Sequence, residues 1–283
     1  MAERGVAEAH HRGDGGQRLS DALTRHHRMP RYPRRVDRTR TLPGGSNPAP
    51  RTAVVWQVLR GELDRHQGRQ LRVVDVGGGT GGFAVPLAQL GHHVTVVDAS
   101  PDALAALIRR AAEAGVADRV DARQGDGESF AELVEPDGVD LVLCHSLLEV
   151  VDDPLRVAGS LTGALRRGGA ASVIVANRAA AVVARAIGGH LDVAAALLDD
   201  PDGRAGARDT LLRRYDAETA TDLLTKAGLE VEQIHGVRVV ADLVPGAVLE
   251  REHEALLAFE LAAAGRTPYR DLATQLHLLA RRP

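Results

Sequence analysis

Short aliphatic runs alternate along this chain with longer stretches whose apolar positions recur every three or four residues. The first run, Val73-Val74-Asp75-Val76, is nearly free of polar alternation, as expected of a strand covered on both faces in a parallel sheet. It passes through Gly77-Gly78-Gly79-Thr80-Gly81-Gly82 into residues 83–90, which have helical spacing. Further strands are predicted at 94–98, from about Arg119 to the Gly125-Asp126-Gly127-Glu128 turn, at 139–145 and at 170–176. Between them lie a helix with Leu104, Leu107, Ile108 and Ala111 on its inner face and another over 154–165. A helix with Val54, Val55, Val58, Leu59 and Leu63 on one face precedes the first strand and is placed to fold over the cleft. Five strand–helix units with short connections predict a doubly wound α/β sheet. Beyond them the pattern predicts an Ala-rich helix over 179–198, a polar loop over 199–208 and a helix over 217–227. A strand at 229–234, continued past a break by 236–240, a helix over 249–263 and a last strand at 273–281 follow.

The glycine run carries the first chemical signal. Glycine lets backbone N–H groups approach a ligand closely, and the following helix N-terminus adds partial positive charge, so the turn suits a nucleotide-like cofactor. Gly77-x-Gly79-x-x-Gly82 fits a dinucleotide fingerprint; Gly77-x-Gly79-x-Gly81 fits an S-adenosylmethionine loop equally well. Asp98, 19 positions beyond Gly79, is suited to hold both ribose hydroxyls of an adenosine. It also reads as a polar helix-entry residue, because Ser100 (an N-cap) and Pro101 follow. Asp126 or Glu128, past the third strand, could accept from an adenine amino group or simply form a polar turn. His145 ends the fourth strand, where the reactive end of the cofactor would lie, as a functional or a structural histidine; Cys144 points the other way, into the core.

Composition changes the picture in two places. The net charge of −3 hides an asymmetry: residues 1–51 carry 11 Arg against 5 acidic residues, leaving 24 basic against 33 acidic for the rest. Residues 1–48, rich in Gly, Arg, His and Pro and without period, predict a disordered basic leader ahead of a domain over 49–283. The pairs His10-His11 and His26-His27 lack the further ligands a metal site needs, so no metal is expected. The run Arg31, Arg34, Arg35, Arg38 and Arg40 could meet RNA phosphate or be a solvated tail. A single cysteine excludes an internal disulfide framework, and no 18-residue apolar run or secretory signal is found, so a cytoplasmic protein without a membrane span is expected. The 34 Arg beside one Lys reads as codon bias.

Taken together, Val74-Asp75-Val76-Gly77-Gly78-Gly79-Thr80-Gly81, Asp98, Gly125-Asp126-Gly127-Glu128, Asp140-Leu141-Val142-Leu143-Cys144-His145 and Leu165-Arg166-Arg167-Gly168-Gly169 resemble the class I S-adenosylmethionine-dependent methyltransferases. The resemblance implies a Rossmann-like, seven-stranded, mainly parallel sheet whose last strand is antiparallel and inserted between the fifth and sixth. A narrower resemblance, carried by Arg51 with Trp56-Gln57, residues 144–149 with Asp153-Pro154, Asn177, residues 235–239, 255–260, Pro268-Tyr269 and 278–283, is to bacterial tRNA methyltransferases that esterify 5-carboxymethoxyuridine at the wobble position. It implies S-adenosyl-L-methionine as cofactor and tRNA as partner. Arg51 would bind the methionine carboxylate, Gly77 and Gly78 the methionine end, Asp98 the ribose, and Gly127 with Glu128 the adenine. The cofactor site expected on this basis comprises Arg51, Asp75, Gly77, Gly78, Gly79, Gly81, Asp98, Asp126, Gly127, Glu128 and His145.

Methyl transfer from a sulfonium requires an acceptor lone pair in line with the S–CH3 bond. A carboxylate acceptor is already an anion at neutral pH and needs no base, only a cation to hold it; Arg238 or Arg178 is the candidate, with Asn177 to orient acceptor or cofactor. A neutral amine or phenol would want a base, and His145 is then the first candidate. Three functions stay open: a tRNA wobble-uridine carboxyl methyltransferase, a methyltransferase of a small metabolite, and an NAD-dependent oxidoreductase or cofactor-binding module.

Overall fold

The computed structural model describes residues 49–206 and 209–283. The basic leader over 1–48, with its histidine pairs and arginine run, lies outside these residues. Seven strands form one sheet: β1 (Arg72–Val76), β2 (His93–Asp98), β3 (Val120–Gln124), β4 (Val139–His145), β5 (Leu165–Ala176), β6 (Glu230–Val237) and β7 (Gln275–Arg281). Their order is β3-β2-β1-β4-β5-β7-β6, with β7 antiparallel to both neighbours and the other pairs parallel, as the resemblance implied.

Helices α1 (Ala53–Arg65), α2 (Ala84–Gln89) and α3 (Pro101–Glu113) contribute Val55, Leu59, Leu87 and Leu107 to one core layer, against Val73, Leu141 and Leu143 of the sheet. The opposite face of the sheet, with Val74, Val142 and Val173, is covered by the short α4 (Phe130–Leu133) and by α5 (Pro154–Ala164). The caps explain where α3 and α5 start. Ser100 Oγ accepts from Ala103 N–H at 3.2 Å, and Asp153 Oδ1 from Arg156 N–H at 3.0 Å, each just before a proline in the first helical turn.

Several boundaries differ from the sequence pattern. The fifth strand starts at Leu165, five residues early, because Leu165 pairs with Val139 before a register shift on the way to Leu141↔Ala170. The Ala-rich helix is two helices, α6 (Arg178–Ile187) and α7 (Leu191–Asp199), broken at Gly188-Gly189, where Gly189 takes φ +80°. After α8 (Ala217–Lys226), β6 runs unbroken through His235 and ends at Val237; the break comes at Arg238, with φ +59°. The last helical stretch is α9 (Gly246–Arg251) and α10 (His253–Ala263), and the four residues of α4 had no visible period. The parallel strands end at Val76, Asp98, Gln124, His145 and Ala176. Gln275, opposite both Ala176 and Val237, brings the starts of β7 and the post-β6 turn to the same edge.

Candidate active site

The loop after β1 folds under tight steric limits. Gly77 N–H donates to Val97 O at 2.7 Å, tying the turn to the end of β2. A Cβ on Gly78 would lie 2.5 Å from the Asp75 carboxyl carbon, and one on Gly81 2.3 Å from Leu107 Cδ1. Asp98 reaches back to this loop: Oδ2 accepts from Gly79 N–H at 2.8 Å and Oδ1 from Ser100 N–H at 2.9 Å. The ribose candidate and the helix-entry residue are therefore one carboxylate, and two bonds leave lone pairs for a ligand's hydroxyls. Asp75 is almost wholly buried beneath Gly78; burial, then the neighbouring Asp98 charge, pushes its carboxyl up to about 7.

Past β3, Asp126 holds its own turn. Oδ1 accepts from the N–H groups of Glu128 (3.0 Å) and Ser129 (2.8 Å) and from the Ser129 hydroxyl (2.7 Å), bonds that hold the carboxyl below its usual range. Gly127 is buried against Leu147, whose Cδ2 would stand 3.0 Å from an added Cβ. Glu128 is 3.6 Å from Arg156. These three residues border the Asp98 edge, with Gly125 N–H donating to Asp98 O at 3.1 Å.

His145 is built into a buried polar row. Its Nε2 lies 2.9 Å from Ser172 Oγ on β5, which is 2.8 Å from His277 Nε2 on β7, and His235 on β6 lies beyond with ring centroids 5.8 Å from His277. Above it, Phe83 meets the His145 ring edge-on at 4.8 Å and stacks on Trp56 of α1 at 5.1 Å. Burial lowers His145 to about 3 and His235 to about 4, so both are neutral near pH 7. With Nε2 engaged and Nδ1 covered without a partner, His145 is not arranged as a base. Asp75 and Glu149, the latter raised to about 7 by burial, are enclosed at 3% and 2% exposure. Cys144 is fully buried, and burial raises its thiol.

Two of the acceptor-side candidates are committed elsewhere. Asn177 caps α6: Oδ1 accepts from Ala179 N–H at 3.1 Å, and Nδ2 donates to Asp271 O at 2.9 Å and Ala273 O at 2.7 Å. Both its amide protons are used on backbone, so it ties β5 to the segment before β7. Arg178 turns to the end of α7, donating to the carbonyls of Leu197 (3.2 Å), Leu198 (2.9 Å) and Asp200 (2.6 Å).

Arg238 remains, one residue beyond β6 at the carboxyl edge. Its Nη1 lies 3.3 Å from Asp242 Oδ2, while the other oxygen, Oδ1, takes Arg51 Nη2 at 3.1 Å. The turn carrying Arg238 and Asp242 is held from below: Glu260 of α10, with no exposed surface, accepts from the N–H groups of Val239, Val240 and Ala241, each at 2.8 Å. Asp242 and Glu260 had no assigned role in the sequence reading. The signals were there: an acid, Glu260, inside the apolar run 255–264 needs a buried partner, and Arg238 with Asp242 is an i,i+4 charge pair.

A family described as a methyltransferase domain matches residues 73–169, the glycine loop through the start of β5. Over 248 residues the chain is 31% identical to the tRNA 5-carboxymethoxyuridine methyltransferase of Escherichia coli K12, covering 87% of this chain and 93% of that one. The chain belongs to the S-adenosylmethionine-dependent methyltransferases. As such an enzyme it also shares 32% identity with a ubiquinone biosynthesis O-methyltransferase of Xanthomonas euvesicatoria, over 59% of this chain and 65% of that one. The methyltransferase fold recurs in an S-adenosylmethionine-dependent methyltransferase of Mesorhizobium loti (23% identity, TM-score 0.57, 81% and 98% of the two chains). It recurs too in the magnesium protoporphyrin IX methyltransferase of Synechocystis, solved with bound S-adenosylhomocysteine (16% identity, TM-score 0.55, 83% and 84% of the two chains). The cofactor is S-adenosylmethionine. The methyltransferase's own residues fit it: the side chains of Asp75, Val96 and Leu107 leave no room for a Cβ at Gly78 or Gly81, and the Asp98 carboxylate lies 3.9 Å from where a Gly79 side chain would stand. Among the described residues no helix is long and apolar enough to cross a membrane.

Proposed function

We propose that this methyltransferase esterifies a carboxylate, that of 5-carboxymethoxyuridine in tRNA. The observation that carries the reading is the pairing of a fixed guanidinium at the carboxyl edge, Arg238, with a histidine that is neutral and engaged through Nε2. Such a site suits an acceptor that brings its own negative charge.

The cofactor supplies a methyl group on a positively charged sulfur. Asp98 would take the ribose hydroxyls, Arg51 the methionine carboxylate, and the 126–128 turn would border the adenine. Arg238 would hold one acceptor carboxylate oxygen and leave the other free to meet the methyl group in line. A carboxylate acceptor has no proton to release, so no base would be required. The Trp56–Phe83 stack over His145 covers the apolar side of the reacting centre. O-methylation of a small molecule is the second reading, favoured by the partial likeness to the ubiquinone biosynthesis O-methyltransferase, whose name carries that activity.

Labelled S-adenosylmethionine, incubated with the enzyme and bulk tRNA from a strain lacking this gene, is expected to place a methyl ester on carboxymethoxyuridine, read by nucleoside mass spectrometry. Label in no nucleoside, with acceptor confirmed in the tRNA and cofactor binding confirmed in the protein, would overturn the tRNA reading.

A further inference from the structure

The residues following β6 contain an arrangement that the assignments above do not use. Arg238 takes a left-handed backbone conformation, φ +59°, costly for a side chain of its size. The strain is offset on both sides. Its carbonyl accepts from Thr274 N–H and Thr274 Oγ1–H, both at 3.2 Å, and the next three N–H groups converge on Glu260. The consequence is a rigid turn that presents one carboxylate, Asp242, at 23% side-chain exposure. That carboxylate gives one oxygen to Arg238 and the other to Arg51.

The two arginines come from opposite ends of the domain. Arg51 precedes α1, whose Trp56 reaches Phe83 beside the glycine loop; Arg238 follows β6, opposite Gln275, whose Nε2 donates to Ser146 Oγ at 2.9 Å at the end of β4. Arg51 is largely exposed, and such an ion pair contributes little to stability, so its link to Asp242 is poorly explained as a fold element. A guanidinium carries five N–H donors in a planar fork. Held on one side through a single Nη by Asp242, each arginine keeps donors for a second carboxylate. Without the acid, two like charges would repel and two long side chains would sample many rotamers.

We propose that Asp242 is a positioning residue that yokes Arg51 to Arg238, aiming one at the cofactor's α-carboxylate and the other at the acceptor's carboxylate. The proposal deepens the carboxyl-methylation reading and rests on it for the roles of both Arg51 and Arg238. Asp242 touches neither ligand; it acts through the two arginines.

Two ligands test it by calorimetry: S-adenosylhomocysteine, which has the amino-acid carboxylate, and 5′-methylthioadenosine, which lacks it. Asp242→Asn is nearly isosteric and should bind methylthioadenosine as the wild type does, which also checks its fold. Its preference for S-adenosylhomocysteine should fall by about tenfold, the scale of one charged hydrogen bond, as in Arg51→Ala. Asp242→Glu should recover part of that preference, and KM for the tRNA should rise more in Asp242→Asn than kcat falls. A ratio of the two affinities in Asp242→Asn that stays at or above the wild-type value overturns the yoke, as does an unchanged ratio in Arg51→Ala. Failure of the tRNA reading would look different: wild-type enzyme would leave no ester on tRNA, whatever the affinity ratio does.

Discussion

His145 and Arg238 divide the chemistry between a group that is enclosed and a group that is offered. Burial holds His145 at about 3, far below the ordinary 6.5, so it stays neutral through the working range and adds no titration there. His145→Gln is therefore expected to leave the shape of the pH–rate profile unchanged; loss of a limb near pH 6.5 in that variant would show that the histidine does titrate during turnover. Arg238→Ala removes a charged hydrogen bond to the acceptor and should lower kcat/KM by roughly 10- to 150-fold, with S-adenosylhomocysteine affinity much less affected. Steady-state kinetics with both substrates varied distinguishes the two losses. At this scale the contact of Asp98 with the glycine loop, through Gly79 N–H, was legible because it depends on spacing along the chain, a local property. The engagement of His145 was not, since Ser172 and His277 meet it through pairing across β5 and the inserted β7. The partners of Asn177 and Arg178 were hidden for a related reason: those at 271–273 and 197–200 come from segments folded back onto them.

At the scale of elements, the turn after β6 depends on α10. Glu260 is fully buried, and its carboxylate answers three backbone N–H groups that have no ladder partner once the strand has ended. Glu260→Ala leaves those donors orphaned and is expected to cost at least about 3 kcal/mol of stability, measured by urea denaturation. Glu260→Gln, keeping one acceptor oxygen, should lose less. A neutral result for Glu260→Ala would mean that the turn holds itself and that Arg238 needs no support from the helix. The strands and most helices could be placed from periodicity because their signals are local: aliphatic runs, helix caps at Ser100 and Asp153, glycines at the stops. The early start of β5 was hidden because Leu165-Arg166-Arg167-Gly168-Gly169 has the composition of a turn, and only pairing with Val139 extends the strand. The Gly188-Gly189 break could have been seen, but continuous alanine-rich periodicity on both sides outweighed it.

Over the whole molecule, strand order reverses between β1 and β4; the glycine loop, Asp98 and His145 lie at the carboxyl edge around that switch point, and the Arg238 turn lies on the same edge at the end of β6, the outermost strand. The antiparallel β7 brings the C-terminal segment to this edge, so the acceptor side is assembled by chain remote from the cofactor loop. That separation explains why most candidates for the cofactor half fall in one continuous stretch, 73–128, while those for the acceptor half are spread along the chain. The central claim is that the acceptor atom is a carboxylate oxygen. The most direct measurement is the alkali lability of the transferred methyl, whatever molecule receives it: cell extract is labelled by the enzyme and S-adenosylmethionine, freed of unreacted cofactor and treated with mild base. Release of the label as volatile methanol is expected, because methyl esters saponify. Label that stays bound through the treatment, as an ether or methylamine would, contradicts it.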